Sequence, residues 1–152
     1  MNAPVKRALG AIILSVSALA LAGCSILTGT PEGETDVFSV KVGDCINTTG
    51  GDEISSIPVV PCDEPHDQEV FDRFDIEGDT FPGDSAIEDE RIAYCEGDAF
   101  TSFVGVAWAD SMYATSGLTP TQSSWDQGDR EVLCTIGDPS GQTTGSIKGI
   151  NQ

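Results

Sequence analysis

The apolar residues of this chain fall into three kinds of run, and the first differs from the rest. From Ala8 to Ala22, "ALGAIILSVSALALA" carries no charge, and Lys6 and Arg7 stand just before it. Its 15 residues fall short of the roughly 20 that cross a bilayer as a helix, and suit the core of an export signal. The run closes on Leu21-Ala22-Gly23-Cys24, the order of a bacterial lipobox, so residues 1–23 are expected to be a lipoprotein signal peptide. Cys24 is then the lipidated first residue of the mature chain. No later apolar run reaches that length.

The second kind alternates. Val37–Lys41, with Phe38, Val40 and Val42 at every other position, predicts a strand. Ile57–Val60 is a short apolar run containing Pro58, which predicts an edge strand. Glu69–Ile76 predicts another, and "MYATSGLTP" and "REVLCTI" predict two more, joined through the polar loop "TQSSWDQGD". The third kind is helical. Ser85 and Glu88 have capping-box spacing, Glu88, Asp89 and Glu90 load the first turn with negative charge, and Gly105 is the expected stop. Ile87, Arg91, Tyr94, Cys95, Ala99 and Phe103 form its inward stripe. Ser25–Asp36 is polar with Pro and Gly, and predicts a flexible tether over residues 24–36. Asp138–Gln152, rich in Gly, Ser and Thr, predicts a loose tail. The expected architecture is α+β: one domain over residues 37–150, with an antiparallel sheet packed against one main helix.

Charge narrows the partners. Two of the seven basic residues lie in the leader and all 25 acidic residues follow it, leaving the mature chain at −20. Such a surface repels nucleic acid and anionic headgroups, so attachment to the membrane falls to lipid on Cys24.

With Cys24 set aside, four cysteines remain: Cys45, Cys62, Cys95 and Cys134. Outside the cytoplasmic membrane, four thiols in a small domain predict two disulfides. Three pairings are possible, and the sequential one has most support. Cys45–Cys62 would close a segment punctuated by Gly50-Gly51 between strand-like runs. Cys95–Cys134 would tie the helix to the last strand.

The only histidine, His66, follows Cys62 at the spacing Cys-x-x-x-His. A structural zinc site needs four N or S ligands and there is no Cys-x-x-Cys, so no metal is expected. A Cys/His nucleophile needs a free thiolate, which a disulfide at Cys62 removes. His66 is therefore expected at a surface or edge beside Glu64, Asp67 and Glu69, as a candidate recognition residue. Trp125 lies in a polar turn, either folded over the core or exposed to a partner, and Arg130 is expected to pair with a carboxylate. Other patterns fail: "GDPSGQTTG" lacks the Lys of a phosphate-binding loop, and Gly78 is misplaced for a calcium loop at Asp75, Glu77 and Asp79. Asn47-Thr48-Thr49 meets the glycosylation sequon, which a bacterial lipoprotein seldom uses.

One likeness spans most of the mature chain. "VGDC" at 42–45, "VVPCDEPHDQEVF" at 59–71, Cys95, Trp125-x-x-Gly128-Asp129-Arg130 before Cys134, and "GSIKG" at 145–149 together resemble the actinobacterial septum-formation domain family. Its most specific part is Pro61, Cys62, Pro65, His66, Glu69 and Val70. The resemblance implies an extracytoplasmic, membrane-anchored domain linked to division and cell-envelope biogenesis, with no known catalytic activity, and it supports the sequential cysteine pairing. The expected function is a non-enzymatic lipoprotein interaction module that needs no cofactor and binds an envelope or division protein, with Glu64, His66, Glu69, Trp125 and Arg130 as candidate contacts. A peptidoglycan- or ligand-binding module would instead show an exposed aromatic groove with Trp108, Tyr113 or Trp125. An envelope hydrolase would show two close carboxylates in a cleft, or His66 buried beside a hydroxyl.

Overall fold

A computed structural model describes residues 33–48 and 54–152. The export signal, the lipidation site at Cys24 and most of the tether lie outside these residues, as does the Gly50-Gly51 turn. Six antiparallel strands form one curled sheet in the order β1-β3-β2-β4-β6-β5. They are β1 (Glu34–Asp36), β2 (Cys45–Ile46), β3 (Ser56–Val60), β4 (Gln68–Asp75), β5 (Ala114–Leu118) and β6 (Glu131–Gly137). Three helices accompany them: α1 (Asp84–Cys95), α2 (Asp98–Val104) and α3 (Gln122–Trp125). No helix among the described residues is long and apolar enough to cross a membrane.

The α+β expectation holds, as do both sequential disulfides. Cys45 on β2 meets Cys62 just past β3, with Cα atoms 5.2 Å apart, and Cys95 at the end of α1 meets Cys134 on β6 at 5.6 Å. β4 and β6 form the centre. A bulge at Phe71 shifts the register between Val70 and Asp72. Phe71 and Phe74, three residues apart, can therefore both pack on the helix side, where regular alternation would separate them. On that side Phe71, Phe100, Val104, Tyr113, Ile136 and Ile147 surround the Cys95–Cys134 bridge. The opposite side buries Val40, Ile46, Ile57, Val70 and Leu133. A third cluster, Ile76, Ile87, Trp125 and Val132, closes the end of the sheet near α1.

Local expectations fail where long-range contacts win. Val37–Ser39 is a 3-10 turn, and the strand falls three residues earlier, inside the expected tether, where Glu34–Asp36 pairs with β3. β3 is not an edge despite Pro58, because β1 covers one side and β2 the other. The single expected helix is two: at Gly97 a side chain's first carbon would stand 2.9 Å from the Ala93 carbonyl, so the chain turns there without one. Ser85 caps nothing, since α1 begins at Asp84 and the Gly83 carbonyl takes the N–H groups of Ala86 and Ile87. Gly105, at φ 100°, does end α2 in the left-handed region. On the inward stripe Ile87, Arg91 and Cys95 are buried, while Tyr94 is 40% exposed and stacks on Phe74 at 4.3 Å. The "TQSSWDQGD" loop contains α3, capped by the Thr121 hydroxyl.

Candidate functional site

Within the segment Cys62–Glu69, with the family-like spacing, His66 and Glu69 turn inward while Asp63, Glu64 and Pro65 are exposed. His66 is fully buried, which corrects the surface or edge placement. The reason is the supposed tail: Thr143 pairs with His66 as an isolated antiparallel bridge, each N–H reaching the other's carbonyl at 3.0 and 2.9 Å. The imidazole Nδ1 lies 2.9 Å from the Glu64 carbonyl, which can only accept, so in the neutral ring Nδ1 carries the hydrogen. Nε2 is then free to accept from the Thr143 hydroxyl at 3.1 Å.

Glu69 is buried as well. Its carboxylate accepts from the Ser146 hydroxyl at 2.7 Å and from the Ile147 N–H at 2.8 Å, and Ile147 is buried in the helix-side core. The Gly145 N–H donates to the Cys62 carbonyl at 2.6 Å. Asp67 completes the clasp at its rim: the Thr48 N–H, at 2.7 Å, is the main influence holding its carboxyl below the usual range. Burial opposes that shift, while the Thr48 hydroxyl and Gln142 reinforce it. Residues 143–147 are thus bound to the sheet and are not loose. Thr143, Ser146 and Ile147 were not singled out as site residues; "GSIKG" and Ile147, one of two large apolar residues in the stretch 138–152, were the available signal.

Trp125 and Arg130 form a second internal pair. Trp125 is buried and meets Phe81 edge-on at 5.7 Å, which places it over the core and not on a surface. Arg130 finds no carboxylate partner among the described residues. Its guanidinium lies 3.6 Å from the centre of the Trp125 ring and donates to the carbonyls of Gly78, Trp125 and Asp129. Of the five residues expected at a contact surface, Glu64 alone has an exposed side chain; Arg130 is half-buried and the other three are buried.

Cys45, Cys62 and Glu69 bring possible metal-ligand atoms within 4.8 Å of one another, but both sulfurs are in the disulfide and offer no thiolate. Tyr113 and Trp125 are buried, so of the three aromatics a ligand-binding module would expose, Trp108 alone reaches solvent.

Among the described residues two concavities lie elsewhere, one of them, of about 650 Å³, bounded by Phe38, Lys41, Val42, Arg73 and Glu131. A groove of about 560 Å³ is lined by Val37, Phe38, Ile54 and Ser55 beside β1 and β3, and by Gly117, Leu118 and Thr119 at the end of β5. Leu133 and Glu131 of β6 line it, with Thr121, Ser124, Gln127 and Asp129 from the α3 region. Phe38 stands 69% exposed at its margin, the most exposed large apolar side chain among the described residues. Neither His66 nor Thr143 reaches this groove.

Residues 42–152 match the family described as septum formation. No curated protein and no solved structure matches the chain.

Proposed function

This chain belongs to the septum-formation family, and from that premise we propose a lipoprotein interaction module, anchored by lipid on Cys24 at the outer face of the cytoplasmic membrane. It acts there without turnover, by binding an envelope or division protein. The observation that carries this reading is a division of labour. The chemically capable residues of the motif are occupied in holding the fold, His66 by Glu64 and Thr143 and the cysteines by each other, while the groove beside β5 sets an apolar wall of Val37, Phe38, Ile54, Leu118 and Leu133 against polar residues, with the exposed Phe38 at its edge. Such a surface suits docking more than bond-making. The two disulfides fit an oxidising compartment, and the Leu21-Ala22-Gly23-Cys24 order supports the anchor.

The test places a photoreactive residue at Phe38, Glu64 or Trp108 of the chain in living cells. Crosslinks to an integral envelope or division protein, lost with Cys24→Ser, are the expected result. Absence of any envelope crosslink from all three positions of the lipidated protein defeats the proposal.

One observation favours a second reading, an envelope hydrolase. The Thr143 hydroxyl, His66 Nε2 and the Glu64 carbonyl at Nδ1 stand in the order nucleophile, base and orienting acceptor. Against it, the imidazole is fully buried and the two residues are also bound backbone to backbone. Turnover of cell-wall material by the purified chain, abolished in His66→Gln, would install this reading in place of the first.

A further inference from the structure

Building on the binding-module reading, we propose that the groove takes an extended segment of a partner protein that alternates basic with aliphatic residues, added as a further strand on the open edge of β5. Among the described residues β5 is the last strand of the sheet and pairs with β6 alone. In an antiparallel pair, alternate residues turn their N–H and C=O away from the neighbouring strand. Among the described residues, no backbone group of Ala114–Leu118 finds a backbone partner beyond the β5–β6 ladder. Unpaired edge groups of this kind are the template for strand addition, with affinity from the main chain and selectivity from pockets beside it.

The pockets are present. Gly117, Leu118 and Thr119 of that edge line the same groove as Val37, Phe38 and Ile54, so aliphatic side chains on one side of an added strand would meet apolar walls. Charge selects the occupant. The groove includes the carboxylates of Asp129 and Glu131 and no lysine or arginine. Arg73 already pairs with Glu131 at 2.8 Å, and Asp129 accepts from the Ser124 hydroxyl and the Glu131 N–H, so the attraction on lysines that face away from the groove rests on the field of a chain with 25 acidic and seven basic residues. That field favours a basic segment and opposes a second copy of this chain, which brings a further −18.

The test titrates the whole chain, in nonionic detergent micelles, into a dansylated heptapeptide alternating lysine with valine, followed by fluorescence anisotropy. One comparison peptide carries glutamate for each lysine, and another an N-methyl group on alternate amides. Saturable binding of the first is expected, with at least about tenfold weaker binding of both comparison peptides and of the first peptide to Phe38→Ser. Phe38 is 69% exposed, so that variant keeps the fold, and Ile92→Ser, on the exposed side of α1, serves as the unaffected control. Equal binding of the lysine and glutamate peptides, indifference to N-methylation or to Phe38→Ser, or no saturable binding each overturns the inference. The module reading survives those outcomes: crosslinks in cells from Glu64 or Trp108, with none from Phe38, would discard the groove and keep the module.

Discussion

The Glu69 carboxylate accepts the Ile147 N–H at 2.8 Å across 78 positions of sequence. This one contact joins the centre of the sheet to a stretch whose composition suggested no structure. Removing the acceptor leaves two donors, the Ile147 N–H and the Ser146 hydroxyl, without a partner. Glu69→Ala should lower stability by about 2–3 kcal/mol in chemical denaturation, while Glu69→Gln, which keeps an oxygen, should lose less. Equal losses would show that the carboxylate's acceptor role is not what matters.

The same clasp depends on pH through Asp67. Its folded-state carboxyl titrates below the ordinary value because the Thr48 N–H holds the charged form. A depressed acid contributes stability above the unfolded value, near 4, and loses it as pH falls through the lower folded value. Denaturation midpoints measured from pH 5 to 2 should therefore fall less steeply in Asp67→Asn than in the native chain. Matching slopes would remove Asp67 from the acid response.

Loss of the Cys45–Cys62 bridge should loosen a segment far from it in sequence. The Cys62 carbonyl receives the Gly145 N–H, and the bridge fixes the strand end from which that carbonyl projects. The double variant Cys45→Ala/Cys62→Ala should lose about 3 kcal/mol. Hydrogen exchange at Thr143, Gly145 and Ile147 should rise with it. Faster exchange confined to β2 and β3 would refute the coupling.

Arg130 should behave as a support for Trp125 and not as an ion-pair member. Arg130→Ala removes the cation from the ring face and the donors from three carbonyls, at about 1–2 kcal/mol. It should red-shift the emission of Trp125 as water reaches the ring. Arg130→Lys should restore little, because an ammonium cannot lie flat on the indole while reaching the same carbonyls. Full rescue by lysine would mean that charge alone suffices.

Gly137 offers a steric check on how β6 ends. A side chain's first carbon there would run into the Asp67 backbone carbonyl, which is not the end of a flexible side chain and cannot yield cheaply. Gly137→Ala should cost about 1–3 kcal/mol and disturb the Asp67–Thr48 contact. A neutral effect would imply that the strand end shifts freely.

What the sequence disclosed follows from the range of each interaction. β4 and β6 were legible because Val70, Phe71, Val132, Leu133 and Ile136 carry their own pattern, and the cysteine pairing because four thiols in sequential order tie neighbouring elements, β2 to the end of β3 and α1 to β6. The start of α1 was misjudged because Gly83 supplies its carbonyl before Ser85 can act as a cap. The break at Gly97 depends on an approach to Ala93 that the apolar stripe does not register. His66 was misplaced for a larger reason: four acidic residues surround it in "CDEPHDQE", yet what surrounds it in space is Thr143, 77 positions away. Its burial belongs to the partner strand, and no local pattern contains that information.

The bridge between His66 and Thr143 also fixes when the molecule can close. Contacts this distant form late, because loop-closure entropy must be met before they contribute. In a chain delivered from its N-terminal end, β2, β3, β4 and the helices are all available before residues 143–147 arrive. Until then Glu69 and His66 face water, the helix side lacks Ile147, and the chain remains open to chaperones and proteases. The His66–Thr143 bridge therefore joins elements already formed, and closes the clasp once residues 143–147 are in place.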